Sequence, residues 1–193
     1  MKLGPSTFSA AILAFCALYA GPGAADPSQL TKEGATMDLV LSTPAFSDGA
    51  AIPAKHTCDG SDRSPEIHWT QPPAGTVSLA LIVDDPDAPV GDWVHWVLYD
   101  VPSSVRSLPE GLPQVGKLES PPAARQGRND FGKLGWGGPC PPPGKPHRYF
   151  FRLFALDQTL GLDPGATKAE VERAMKGRIL ARAEIHGTYA RKR

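Results

Sequence analysis

Proline and glycine interrupt this chain too often to allow long helices: 21 prolines and 20 glycines stand among 193 residues, in no fixed period. Proline fixes φ and removes a backbone donor, and glycine frees the chain where it must turn. They fall between short apolar runs, so the runs read as strands and the punctuation as turns of a loop-rich β protein. Met37–Leu41, Ile67–Trp69, Val77–Val83, Trp93–Val101, Arg148–Leu156 and Ile179–Tyr189 are the predicted strands, with Val77–Val83 ended by Asp84-Asp85-Pro86. One helix is signalled. Thr167-Lys168-Ala169-Glu170 forms a capping box, Val171, Ala174 and Met175 follow at helical spacing, and Gly177 is a natural stop. The predicted class is mainly β, an antiparallel β-sandwich-like core with one or few short helices. Between Val101 and His147 lies a long stretch of Gly, Pro, Ser and Asn, read either as a functional loop or as a stretch with unrecognised elements.

Residues 1–25 are predicted to be a signal peptide: Lys2 gives a positive start, Phe8–Ala20 is apolar, and Gly23-Ala24-Ala25 supplies small residues before a cleavage point at Asp26. The apolar run is short for a membrane span, which needs roughly 20 residues, and a retained N-terminal anchor is the alternative. Cys16 does not read as a lipidation site, because the bulky Phe15 precedes it. Residues 26–36 read as a flexible lead-in and 37–190 as one domain, periplasmic or secreted. Lysine plus arginine equals aspartate plus glutamate at 20 each, and loss of Lys2 leaves 19 basic residues against 20 acidic. No basic surplus recommends nucleic acid, and membrane contact is expected to be peripheral at most. Loss of Cys16 leaves Cys58 and Cys140, which in an exported protein are predicted to form one disulfide, with two buried free thiols as the alternative.

Three places could carry chemistry. Asp84-Asp85-Pro86-Asp87-Ala88-Pro89 holds three carboxylates on a proline-restricted segment, or is simply a strand-terminating turn. In Trp93-Val94-His95 the indole and the imidazole would share a strand face, walling a pocket or merely half-burying one satisfied histidine. His147-Arg148-Tyr149 repeats that pattern, with Arg148 turned the other way and two donors suited to an anionic oxygen. The glycines between Gly127 and Gly144 could let successive amides form an anion-binding concavity, although no Walker-type lysine-serine follows.

In their order, Asp85-Pro86-Asp87-Ala88-Pro89, Trp93-x-His95, Gly138-Pro139 and His147-Arg148-Tyr149 resemble the phosphatidylethanolamine-binding protein family, which includes the Raf kinase inhibitor proteins. Thr57-Cys58-Asp59-Gly60, Gly138-Pro139-Cys140-Pro141 and the helix followed by a terminal strand look like its bacterial branch. The resemblance covers residues 37–190. It implies a β-sandwich with a small preformed pocket for phosphate-like groups, lined by Asp85, Trp93, His95, His147 and Tyr149. Gly138, Pro139 and Pro89 would shape its rim, and Asp87 would support the loop. It implies no cofactor and no catalytic residue. The expected partner is a small anionic or zwitterionic ligand such as phosphate or phosphoethanolamine; oligomeric state is left open, with a homodimer as one option because the chain resembles members without the extra C-terminal helix of animal proteins.

An aspartate should repel a phosphate. One resolution is that the carboxylate raises the proton affinity of His95 or His147, so that an imidazolium faces the anion. Another is that Asp85 accepts a hydrogen bond from a protonated phosphate oxygen or an ammonium, with Trp93 as a cation–π partner.

Rival readings are weaker. Two histidines and an aspartate suit zinc, but they come from three separate segments without a close His pair. Asp85 and His95 could form an acid–base pair, yet no serine or cysteine stands in a recognisable nucleophile context, so the chain is not read as an enzyme. The serious alternative is an inhibitor or regulator of an extracytoplasmic protease or other protein, docking through a pocket rim stiffened by the Pro139–Pro146 segment.

Overall fold

The computed structural model describes Met1 and residues 38–191; the predicted leader (1–25), its cleavage point, the lead-in (26–36) and Met37 lie outside the described residues. The chain divides into two units, 1–35 and 36–193, and the second carries every element below. These are β1 (Leu41–Ser42), β2 (Ile67–Trp69), β3 (Ser78–Asp85), β4 (Trp93–Pro102), β5 (Ser107–Leu108), β6 (Arg125–Gln126), β7 (His147–Leu156), α1 (Lys168–Met175) and β8 (Ile179–Tyr189).

The strands form a three-stranded sheet in the order β1-β2-β5 and a five-stranded sheet in the order β6-β4-β3-β7-β8. All neighbouring strand pairs are antiparallel. Leu41, Ile67 and Leu108 of the small sheet pack with Leu79, Leu81, Val83, Trp96, Leu98, Phe151 and Leu153 of the large one, which makes the structure a sandwich. The opposite face of the large sheet is covered as well: Ala80, Ile82, Val97 and Tyr99 pack with Val171 and Met175 of α1. β3 is therefore buried at every position, which explains why its sequence is continuously apolar rather than alternating.

The helix begins as its sequence signals. The Thr167 hydroxyl accepts the Glu170 amide, and the Glu170 carboxylate accepts the Thr167 amide at 2.8 Å. Three expectations need correction. The first strand is Leu41–Ser42 and does not include residues 38–40, because only Leu41 and Ser42 pair with β2. β3 does not stop at Asp84 but runs through Asp84 and Asp85, because both residues pair with β4, opposite Val94 and Trp93. The stretch from Val101 to His147 is not structureless: it contains β5 and β6, each too short to leave a periodic signal. Cys58 and Cys140 are disulfide-bonded across a separation of 82 residues. Such a closure stabilises the fold by roughly 4 kcal/mol in the chain-entropy model.

Candidate ligand-binding site

The C-terminal end of β3 and the N-terminal ends of β4 and β7 meet at one end of the large sheet, since Asp85 pairs with Trp93 and Asp84 with Phe150. Antiparallel pairing thus brings Asp85, Trp93 and His147 together from segments far apart in sequence. Along β4 the register advances two residues, from Val94 to Trp96, while β3 advances one, from Asp84 to Val83. His95 is the extra residue of this β-bulge, and such bulges re-aim a side chain out of the ladder. His95 accordingly lines a hollow of about 150 Å³, together with Asp85, Pro89, Trp93, Phe131 and His147. Ala88 and Val90, after β3, and Cys140, Pro141 and Pro142, before β7, complete its lining as a lip.

Each polar group in the hollow has an anchored atom and a remaining one. Asp85 Oδ1 accepts the amide of Asp87 and Oδ2 accepts from His147 Nδ1, both at 2.8 Å. A carboxylate only accepts, so Nδ1 of His147 carries the hydrogen and Nε2 is left for other partners. His95 Nδ1 lies 2.5 Å from the carbonyl of Gly137, and the Gly137 amide donates back to the His95 carbonyl at 2.9 Å. A carbonyl also only accepts, so His95 likewise holds its hydrogen on Nδ1. Burial lowers the pKa of His95 below its ordinary value of 6.5, outweighing the raising effects of the Gly137 carbonyl and of Asp85. His95 is therefore a neutral ring with an accepting Nε2. This corrects the expectation of an imidazolium at that position: the carboxylate pairs with His147, and desolvation wins at His95.

Tyr149 lies behind the hollow rather than in its lining. It is fully buried and meets the His95 ring edge to face, with centroids 5.1 Å apart. Its hydroxyl has no hydrogen-bond partner among the described residues. Burial first, and then the Asp85 charge, push its pKa upward, so the phenol stays protonated. Asp87 supports the loop: its carboxylate accepts three bonds from Arg148, two from the guanidinium at 2.8 and 2.9 Å and one from the amide at 2.9 Å. The Arg148 pairing holds the Asp87 pKa down at about 2. Asp84, the remaining acid of the cluster, is fully buried and bonded to Arg152 and Lys168, outside the hollow lining.

Gly138 and Pro139 do not line the hollow. The Gly138 amide donates to Asp62 Oδ1 at 2.7 Å, and the Cys58 amide donates to the Pro139 carbonyl at 3.1 Å. A side chain at Gly138 would stand 2.4 Å from the His56 carbonyl oxygen and 2.9 Å from Thr57 Cα, so the glycine serves close packing against the 56–62 segment. The amides of the glycine-rich segment are also spent internally: Gly127, Gly135 and Gly137 donate to Val97, Gly127 and His95 carbonyls. Hence these three glycine amides are not free to form a concavity.

Phe131 is the main wall residue that sequence reasoning did not select. It meets both Trp93 and His95 edge to face, with centroids 5.4 Å away in each case. Asn129 holds it there: Asn129 Oδ1 accepts the Phe131 amide at 3.1 Å and the Lys133 amide at 3.0 Å. The Asn129-Asp130-Phe131-Gly132 turn was a readable signal, but its docking against β4 was not. A larger groove of about 350 Å³ lies on the β7–β8 face. Its Arg152 and Glu184 are bonded to each other at 2.7 Å, and Arg152 also pairs with Asp84.

Fold and site together define a β-sandwich ligand-binding protein, with its polar groups gathered at one end of the larger sheet. The phosphatidylethanolamine-binding protein family model matches residues 42–190, and the chain belongs to this family. It is 51% identical over 160 residues to a UPF0098 protein of Aquifex aeolicus, covering 82% of this chain and 91% of that one. A UPF0098 protein of Methanothermobacter thermautotrophicus is 50% identical over 151 residues, covering 78% and 98%. The crystal structure of an Escherichia coli protein described as a new member of the mammalian PEBP family matches with a TM-score of 0.75 and 35% identity, over 80% of this chain and 99% of that chain.

Proposed function

We propose that this protein binds a small phosphate-bearing zwitterion of the phosphoethanolamine type, as an exported binding protein without catalytic activity. The observation that carries this reading is the pairing of acceptors around the hollow: the neutral His95 with its hydrogen tied to Gly137, and the Asp85 carboxylate 2.8 Å from His147. Among the described residues no lysine or arginine lines the hollow. Acceptors without a fixed cation suit a ligand that brings its own donors, either an ammonium or a protonated phosphate oxygen. Trp93 supplies an aromatic face for an ammonium. His95 Nε2 and His147 Nε2, each across its ring from a hydrogen-bearing Nδ1, are the acceptors for those donors, and the protonated phenol of Tyr149 lies behind the His95 ring. A volume of about 150 Å³ fits a head group and not a whole lipid. The Cys58–Cys140 disulfide supports the export reading, because such bonds persist in oxidising compartments.

Calorimetry with phosphoethanolamine, phosphocholine and inorganic phosphate at pH 6 tests the assignment. Phosphoethanolamine is expected to bind at least tenfold more tightly than phosphocholine, whose quaternary ammonium donates no hydrogen bond. Equal affinities would remove the acceptor pair from the recognition.

One observation favours a second reading, as an inhibitor of a protease or other protein. Val90 and Phe131 at the lip are 77% and 39% exposed, an apolar fringe suited to protein contact. Loss of proteolysis by a panel of extracytoplasmic proteases at sub-micromolar protein would select it, and native mass spectrometry of the same sample would report whether the protein is a homodimer.

A further inference from the structure

The disulfide sits where it can govern the hollow. Cys140 contributes to the lip beside Pro141 and Pro142, and both Cys58 and Cys140 are exposed. The two sides of the bond are anchored unequally. On the Cys58 side, Asp59 accepts a hydrogen bond from the Tyr189 hydroxyl at 2.8 Å and from Arg191 Nε at 3.1 Å. Thr57 beside it is buried, with its hydroxyl donating to the Ala54 carbonyl at 2.9 Å. On the Cys140 side, two hydrogen bonds tie residues 138–139 to the 56–62 segment, Gly138 to Asp62 and Cys58 to Pro139. Beyond Cys140, residues 141–146 make no hydrogen bond to other described residues, and all but Pro141 are exposed. From Cys140 to the start of β7 the lip is thus tied to the 56–62 segment by the disulfide and not by hydrogen bonds of its own.

We propose that the Cys58–Cys140 disulfide is a thiol-responsive latch that sets the ligand affinity of the hollow. The inference rests on the head-group reading for its ligand and on the lip geometry for its mechanism. A thiolate of a dithiol reductant attacks the sulfur of one of the two exposed cysteines, forming a mixed disulfide and releasing the other cysteine as a thiolate. The second thiol of the reductant resolves the mixed disulfide. Two electrons pass from the dithiol, which leaves as its own disulfide, and its two protons end on Cys58 and Cys140. The freed lip withdraws Pro141 and Pro142 from the wall facing Trp93 and His95, and the ligand loses enclosure. Exposed disulfides are the labile, regulatory kind, whereas a purely structural one is ordinarily shielded.

The test compares the oxidised protein, the protein reduced with dithiothreitol and reoxidised, and the C58S/C140S double variant. Phosphoethanolamine affinity is read by calorimetry, and amide exchange by mass spectrometry over residues 54–62 and 136–146. Reduction is expected to weaken binding at least fivefold and to speed exchange at the Cys58 and Gly138 amides at least tenfold. The β3 and β7 amides should remain protected, and reoxidation should restore both properties. Unchanged affinity in a reduced protein that still binds overturns the latch. Should the oxidised protein bind no phosphoethanolamine, the head-group reading fails instead, and the latch is then decided by exchange alone: unaltered protection at Cys58 and Gly138 overturns it. Reduction of the wild-type chain keeps the test independent of how well the double variant folds.

Discussion

His147 Nδ1 donates to Asp85 Oδ2 across 2.8 Å, while the other oxygen of Asp85 accepts the Asp87 amide at the same distance. One carboxylate thus orients an imidazole on β7 and closes the first turn after β3. Both atoms of this pair are nearly shut off from bulk water, with side chains 11% and 4% exposed for His147 and Asp85. Hydrogen bonds to charged groups in such settings contribute about 1.5–3 kcal/mol. Asp85 therefore links the stability of the loop to the chemistry of the hollow.

Replacement of Asp85 by Asn keeps the shape and removes the charge. D85N is expected to lower phosphoethanolamine affinity by about tenfold, or ~1.4 kcal/mol, with a smaller loss for inorganic phosphate, which lacks the ammonium. Calorimetry on both ligands checks the difference, and an equal loss for both would place the ammonium elsewhere.

Stability should fall as pH drops below about 6.5, the ordinary value for an unfolded histidine. Burial depresses the pKa of His95 and of His56 in the folded domain. Around His95 the Gly137 carbonyl and Asp85, Asp62 and Asp84 oppose that shift, and around His56 the Arg63 carbonyl and Glu110 do so, while Lys55 and Arg63 add to it. In the window between the folded and unfolded values the unfolded chain binds more protons, so stability rises with pH there and is complete above it. Urea midpoints measured from pH 8 to pH 5 should decline, and H56Q should reduce the slope. A flat profile would contradict neutral buried rings.

Tyr149 offers opposite effects on folding and binding. Its buried hydroxyl lacks a partner among the described residues, and an unsatisfied buried group costs about 1–3 kcal/mol. Y149F is expected to raise the melting temperature by about 3 °C and to weaken phosphoethanolamine binding. A variant that gains stability with unchanged affinity would confine Tyr149 to packing beneath His95.

The Asp87–Arg148 pair should matter little to stability, because it is surface-exposed and screened by solvent. Its signature is a titration. The Asp87 carboxyl is held at about 2 by Arg148. In R148M its midpoint, followed by carbonyl NMR, should move up toward the ordinary 3.8. Because the folded value lies below the unfolded one, the pair's contribution is present above pH 3.8 and disappears as pH falls through 2.

Local sequence alone gave the β class, five of the six predicted strands, the α1 capping box and Asp85, Pro89, Trp93, His95 and His147 of the hollow. These rest on local information: period, turn chemistry and short motifs act over a few residues. Only the tertiary structure decided what the site residues do. It set His95 as the extra residue of a bulge, gave its hydrogen to Gly137, placed Tyr149 behind the hollow, and assigned Gly138 and Pro139 to the disulfide segment rather than to the lining. The tautomer and protonation of a buried ring depend on partners brought from distant segments and on exclusion of water. Neither is written in the residues on either side.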